Sequence, residues 1–176
     1  MKIQTNLMLL AMIASFAMVS CDKLDVEFDA DYKTTLNVVT EKGFVKSTDG
    51  AFYESATIDP LSNSDMAKYA KKIKSIEVRE VKGVIKSINE PTLLETCLLK
   101  MSSPGSTSAE WTYTNKQLDV GTEFIMDNSN GQLDNMEQIL DKKEEFTVEM
   151  SGSTSGDNVS FSLEVTIKTK VTANPL

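Results

Sequence analysis

Residues 159 to 171 alternate with a period of two. Val159, Phe161, Leu163, Val165, Ile167 and Val171 are apolar. Ser160, Ser162, Glu164, Thr166, Lys168 and Lys170 between them are polar or charged, and only Thr169 softens the apolar side. Successive side chains of a strand point to opposite faces, so this segment reads as a strand with one face on a core and the other in water. That is the habit of antiparallel sheets, and it limits the chain to folds that bury one face of a sheet. Phe146, Val148 and Met150 in "EEFTVEM" repeat the pattern, and the "SGSTSGDN" between the two segments reads as a flexible turn, which predicts a hairpin.

Period two returns along the chain. Leu24, Val26, Phe28, Ala30, Tyr32, Leu36 and Val38 alternate over a stretch long enough to require one bend. "FYESATI", "IEVREVKGVIKSI", "TLLETCLLKM", "EWTYT" and "TEFIMD" supply further strands. In the second of these the alternation changes phase after Val78, which places a bulge near Glu80 to Gly83. Two segments have helical period instead. "DPLSNSDMAKYAKKI" puts Met66, Tyr69, Ala70 and Ile73 on one face, with Asp59-Pro60, or Ser62 with Asp65, as start signals. "GQLDNMEQILDKK" does the same with Leu133, Met136, Ile139 and Leu140. The predicted architecture is mainly β: a two-layer antiparallel β-sandwich, immunoglobulin-like in general architecture, with two short helices at its ends or edges. A chain of 176 residues accommodates one such domain, expected over 24–176.

The first twenty residues have another character. Lys2 gives a positive start, and "LMLLAMIASFAMV" from Leu7 to Val19 holds a single polar residue, Ser15. As a helix this run would rise about 20 Å, short of the roughly 30 Å hydrocarbon core, which suits an export signal better than a membrane span. Directly behind it, Met18-Val19-Ser20-Cys21 resembles the bacterial lipobox. Val19, Ser20 and Cys21 match that motif, and Met18 stands where Leu is preferred. The resemblance implies cleavage between Ser20 and Cys21, diacylglyceryl transfer to the Cys21 sulfur and acylation of the new amino terminus. Residues 1–20 would then be a signal peptide and 21–23 a short lipidated tether. Two or three acyl chains, at about 0.8 kcal/mol per buried CH₂, hold a protein on a membrane. With the acidic residues behind the motif and the closing "VSFSLEVTIKTKVTANPL", the chain is similar in general pattern to small β-sandwich lipoproteins of Bacteroidetes-type envelopes. That likeness implies an outer-membrane location, facing periplasm or surface, and assigns no activity.

Charge bounds the partners. Without Lys2 the 18 Lys and Arg become 17, against 26 Asp and Glu, a formal balance of −9 with an acylated terminus. Nucleic-acid binding needs a basic surface to neutralise phosphates, and no Lys or Arg cluster interleaves with aromatics. The same overall balance argues against electrostatic adhesion to anionic headgroups. The expected partners are the membrane, through the lipid, and an envelope protein or glycan.

Chemical motifs are few. The chain has no histidine, so Ser-His-Asp and Cys-His sets and most catalytic zinc sites are absent. Nothing implies a cofactor. In the mature chain Cys97 is the lone thiol, set in apolar "TLLETCLLKM", where it reads as a small core hydrophobe. Asp25, Glu27, Asp29 and Asp31 would line one strand face at about 7 Å spacing, too wide for several to hold one ion, and read as a solvated acidic stripe. "DNSNGQLD", residues 127 to 134, lacks the alternating acids and terminal Glu of a calcium loop and reads as a turn into a helix. Trp111 and Tyr113 share a strand face; they can form a stacking platform for a sugar or peptide, with core packing the favoured use of Trp111. The leading expectation is a non-enzymatic binding or structural module. The alternatives are a carboxylate-dependent glycan hydrolase, which needs two convergent acids, and a carrier, which needs an apolar cavity between the sheets.

Overall fold

The computed structural model describes residues 25–40 and 50–175. Nine strands follow one another: β1 (Val26–Asp29), β2 (Tyr32–Val39), β3 (Ala51–Ile58), β4 (Ile73–Ile88), β5 (Thr92–Ser102), β6 (Ala109–Leu118), β7 (Glu123–Met126), β8 (Phe146–Thr154) and β9 (Ser160–Ala173). A 3₁₀ turn (Pro60–Ser62) and helix α1 (Ser64–Tyr69) lie between β3 and β4, and helix α2 (Gln132–Asp141) lies between β7 and β8. The strands form two antiparallel sheets. In the first, β1 and β2 both flank β9, followed by β4 and β7; in the second the order is β3, β8, β5, β6. The two-layer antiparallel sandwich with two short helices is therefore the observed architecture.

Its winding follows from the pairings. β2 pairs with β9, β3 with β8, β4 with β7 and β5 with β6. The first half of the chain thus pairs with the second half in reverse order, and successive strands step between sheets except at β1–β2 and β5–β6. With β1 and β2 counted as two halves of one interrupted edge strand on β9, strands ordered this way in two sheets make a jelly roll. The apolar faces meet as the alternation requires. Phe146, Val148 and Met150 of β8 and Phe161, Leu163, Val165 and Ile167 of β9 are all buried, with Leu36, Ile85, Leu94, Leu99 and Phe124 packed among them.

The expected β8–β9 hairpin is not formed. β8 uses its two edges for β3 and β5, and β9 uses its own for β2 and β4, so the two strands lie in opposite sheets. The connection crosses the end of the sandwich. It is held there by Ser155 N–H on the Leu93 carbonyl at 2.9 Å and by Asn158 at φ 59°. The expected bend near the start falls at Ala30-Asp31, where Thr169 accounts for its place on the apolar face. Its hydroxyl donates to the Ala30 carbonyl at 2.5 Å, where the edge strand breaks. The predicted bulge is also present, as a register shift between Val78 and Glu80.

The first helix is shorter than its periodicity predicts. α1 ends at Tyr69 and Ile73 opens β4. The cause lies in its caps. Asp59 holds the 3₁₀ turn through Leu61 N–H at 2.8 Å, and Asn63, not Ser62, caps α1 through the N–H groups of Asp65 and Met66. Only Met66 of its six residues is buried, so packing does not extend it further. α2 has a different task. β7 covers β4 only from Val81 to Val84, and upstream of that α2 lies along the β4 edge. There a Glu137 carboxylate oxygen accepts the Val78 N–H at 3.0 Å, a ladder donor that no strand reaches.

Gly152 is the position that tolerates least. A Cβ there would sit 2.0 Å from the Thr96 carbonyl oxygen and 2.9 Å from Cys97 Cα, opposite the β5 register shift between Leu94 and Thr96. Backbone cannot yield as a flexible side chain can. We expect Gly152→Ala to lose about 3 kcal/mol of stability or more in urea unfolding. A loss near zero would mean the second sheet is not packed in this register.

Candidate binding groove on the sandwich flank

The edges β6 and β7 face one another across one flank of the sandwich, and the aromatic pair of β6 closes that seam. Alternation on β6 turns Trp111 inward, 5% exposed, and Tyr113 partly so. Both direct their polar atoms to the next edge: Trp111 Nε1–H donates to the Asp127 carbonyl at 2.8 Å and Tyr113 O–H to the Ile125 carbonyl at 2.8 Å. The Tyr113 ring also stands edge-on to Phe124 at 5.0 Å. Carbonyls on the open edge of β7 would otherwise need water, so the two aromatics satisfy an unpaired strand edge from the opposite sheet. Trp111 therefore packs and hydrogen-bonds rather than offering an open ring face, and Tyr113 is the more accessible of the two.

A groove of about 350 Å³ lies over this seam, lined by Glu110, Trp111, Thr112, Tyr113, Ile125, Asp127, Ser129, Asn130 and Gln132. The loop from Asp127 to Gly131 forms one wall and is fixed by its own side chains. Asp127 Oδ1 accepts the Ser129 N–H and hydroxyl, Asn128 Oδ1 accepts the Leu133 N–H at 2.8 Å, and Gln132 Oε1 accepts the Asn130 N–H at 2.7 Å. The "DNSNGQLD" run is thus a turn into α2, with Gly131 at φ 77° before the helix. Groove walls of carboxylate, amide and hydroxyl groups over a Tyr ring can receive a polar ligand through hydrogen bonds. The sequence showed the aromatic spacing. It did not show Gln132 and Asn130 as walls, because the fold brings them there across the seam.

The remaining expected residues have plain surroundings. Asp25 pairs with Lys74 at 2.6 Å, Glu27 with Lys170 at 2.5 Å, and Asp29 approaches Arg79 at 3.8 Å. The acidic stripe is therefore one side of a ladder of ion pairs on the outer face of the first sheet, continued by Lys168–Glu80 and Lys86–Glu164. The Lys86 ammonium holds the Glu164 carboxyl below its ordinary range. No cluster of three or more metal-ligating side chains occurs among the described residues. The outer face of the second sheet is different: Tyr53, Ser55, Thr57, Ser151, Ser153, Thr96, Thr112 and Thr114 make it largely hydroxyl-bearing. Ser20 and Cys21 lie outside the described residues.

Cys97 is buried beside this seam, paired in register with Tyr113 and Gly152. Burial pushes its thiol up from 9.0 to about 12. Tyr113 is also raised, first by burial and then by Cys97 and Asp127, and Tyr32 by burial and then Asp59.

No protein-family model matches this chain, and no curated protein does. Solved structures similar to it include one of Desmodium yellow mottle tymovirus, at 12% identity and a TM-score of 0.35, covering 89% of this chain and 93% of that one. A cryo-EM structure of Mud crab tombus-like virus is similar at 8% identity and a TM-score of 0.36, covering 94% and 98%. Scores at this level transfer neither topology nor function.

Two outcomes are expected. Tyr113→Phe removes only the hydroxyl that closes β7, so stability should fall by about 1 kcal/mol and amides of 123–126 should exchange faster, with β9 unchanged. Uniform exchange rates would show that the seam does not depend on this bond. In alkaline solution the native thiol keeps its proton while an unfolded chain's ionises. Stability should therefore be full below pH 9.0 and decline as pH rises toward about 12. In Cys97→Ala the decline should begin later, near the ordinary tyrosine value of 10.0, where Tyr32 and Tyr113 take over. Urea midpoints across this range decide it, and identical profiles for the two proteins would place Cys97 in water.

Proposed function

We propose that this chain is a cell-envelope lipoprotein, cut between Ser20 and Cys21 and anchored in the outer membrane through acyl chains on Cys21. The mature domain acts as a non-enzymatic binding or structural module for an envelope protein or glycan. The observation that carries this reading is where the fold begins relative to the motif. β1 joins the ladder at Val26, paired with Ala173, only five residues beyond Cys21. A lipid at Cys21 is therefore tethered within five residues of the start of an edge strand. The polar groove over Tyr113 supports the binding part of the reading, since its walls offer carboxylate, amide and hydroxyl groups to one ligand-sized space.

Mass spectrometry of the membrane fraction tests the anchor. The mature protein is expected to begin at Cys21 and carry acyl mass, and Cys21→Ser is expected to leave an uncleaved precursor or a folded domain released from the membrane. A mature protein starting elsewhere, or a Cys21 without acyl mass, would refute it.

A further inference from the structure

The strand connections divide the sandwich into two unlike ends. β1 starts at one end, where β9 finishes beside it and β4 begins. Helix α1, the Ser103–Ser108 loop and the connection from α2 to β8 gather at that same end. At the opposite end, among the described residues, the chain turns through the links Asn89–Pro91, Asp119–Thr122 and Ser155–Val159, and Thr40 and Gly50, which border residues 41–49, lie there too.

α1 closes the first end. Its Met66 is fully buried, and Tyr69 stacks on Phe28 of β1 with ring centroids 5.5 Å apart. With Met66 inside, the opposite side of the helix and the turn after it look away from the sandwich. That side carries Lys68, Lys71 and Lys72, all exposed, followed by Lys74. No acidic residue occurs from Met66 to Ile76. Lys74 is paired with Asp25, Lys68 lies over the Tyr69 ring at 4.7 Å, and Lys72 donates to the Pro175 carbonyl. Lys71 has no acidic partner among the described residues. Among the acids around this face, Asp59 holds the 3₁₀ turn, Asp65 in the first turn of α1 acts on Lys68, and Asp134, Glu137 and Asp141 of α2 line a groove with Lys74. In a chain of net charge −8 this is a concentrated basic face. Leu61, 36% exposed, lies on the turn just before it.

The anchor fixes what this face meets. Three residues separate Asp25 from Cys21, four Cα steps that span at most about 14 Å even when fully extended. Lys74, bonded to Asp25, is thus held within that reach plus an ion-pair length of the proposed lipid. We propose that the lysine face of α1 and its following turn docks on anionic phospholipid headgroups of the same membrane that holds Cys21, setting the sandwich end-on. This rests on the lipoprotein reading and adds the orientation of the domain. The overall negative charge, which argues against adhesion of the chain as a whole, acts weakly on one end of it, because screening confines each charge to a Debye length of about 8 Å, and acids of the first sheet's outer face are paired with lysines. Each lysine near an anionic surface shifts docking about fivefold.

The test uses full-length acylated protein in vesicles of phosphatidylcholine alone or of an even mixture with phosphatidylglycerol. Amine acylation is followed residue by residue. Lys68, Lys71 and Lys72 should label about fivefold more slowly, or slower still, in the anionic vesicles, an effect lost at high salt, while Lys86 and Lys116 label alike in both. The variant with Lys68, Lys71 and Lys72 all changed to Gln keeps the Asp25–Lys74 pair and should stay anchored. In it, Lys74 should lose any difference between the two vesicles. Intact mass, read first, separates the failures. An unacylated Cys21 overturns both the anchor and the docking. An acylated Cys21 with equal labelling in both vesicles overturns the docking alone.

Discussion

The ladder between β4 and β9 is the interaction on which the rest of the fold depends. β9 pairs along its length with β4 on one side and with β1 and β2 on the other, so every strand of the first sheet except β7 is bonded to it directly. Its inward side chains from Phe161 to Val171 are the floor of the core. Because the chain pairs in reverse order, β9 must meet residues from the first half of the sequence before either edge is satisfied. These are non-local contacts, whose loop-closure entropy precedes their reward, and they imply slow folding relative to a helical domain of this size.

How much of this the sequence revealed depends on which property of a strand is asked for. Period two tells which face of a segment is buried, and it did so correctly for β2, β8 and β9 down to single residues such as Leu163 and Val148. It says nothing about which neighbour occupies a strand's hydrogen-bonding edges, because every residue offers the same N–H and C=O. That is why a flexible-looking link between β8 and β9 suggested a hairpin while both edges of each strand are taken by others. The same limit applies to the flank. Trp111 and Tyr113 were visible as a pair, but their partners are the carbonyls of Asp127 and Ile125, which leave no signature in side-chain pattern. Glu137 on the Val78 N–H is a further case: a surface acid in the helix pattern turns out to complete a ladder.

The two open flanks of the sandwich are treated unlike one another. At β6 and β7 the edge is closed by aromatic side chains that donate across the gap, and α2 extends this closure where β7 ends. Edge strands otherwise invite pairing with another chain, and side-chain donors here remove acceptors that such pairing would use. The outer faces differ as well. The first sheet carries paired charges, each exposed pair worth about 0 to 1 kcal/mol, so the ladder sets surface character more than stability. The second carries hydroxyls and Tyr53, whose O–H donates to Glu149 at 2.9 Å and holds that ring along the sheet.

On the proposed anchor these features acquire a direction. The membrane end is the one crowded by α1 and the chain start, and the tight turns face outward. Val120, 62% exposed at the β6–β7 turn, then lies at the end away from the proposed lipid. The polar groove lies partway along the flank, its loop wall running from the end of β7 toward α2. A lipid-held domain with a tether of a few residues cannot tumble freely, so docking its basic end would keep both the groove and the hydroxyl face turned sideways, parallel to the bilayer normal. Ligands reaching either surface would then be bound beside the domain rather than beneath it.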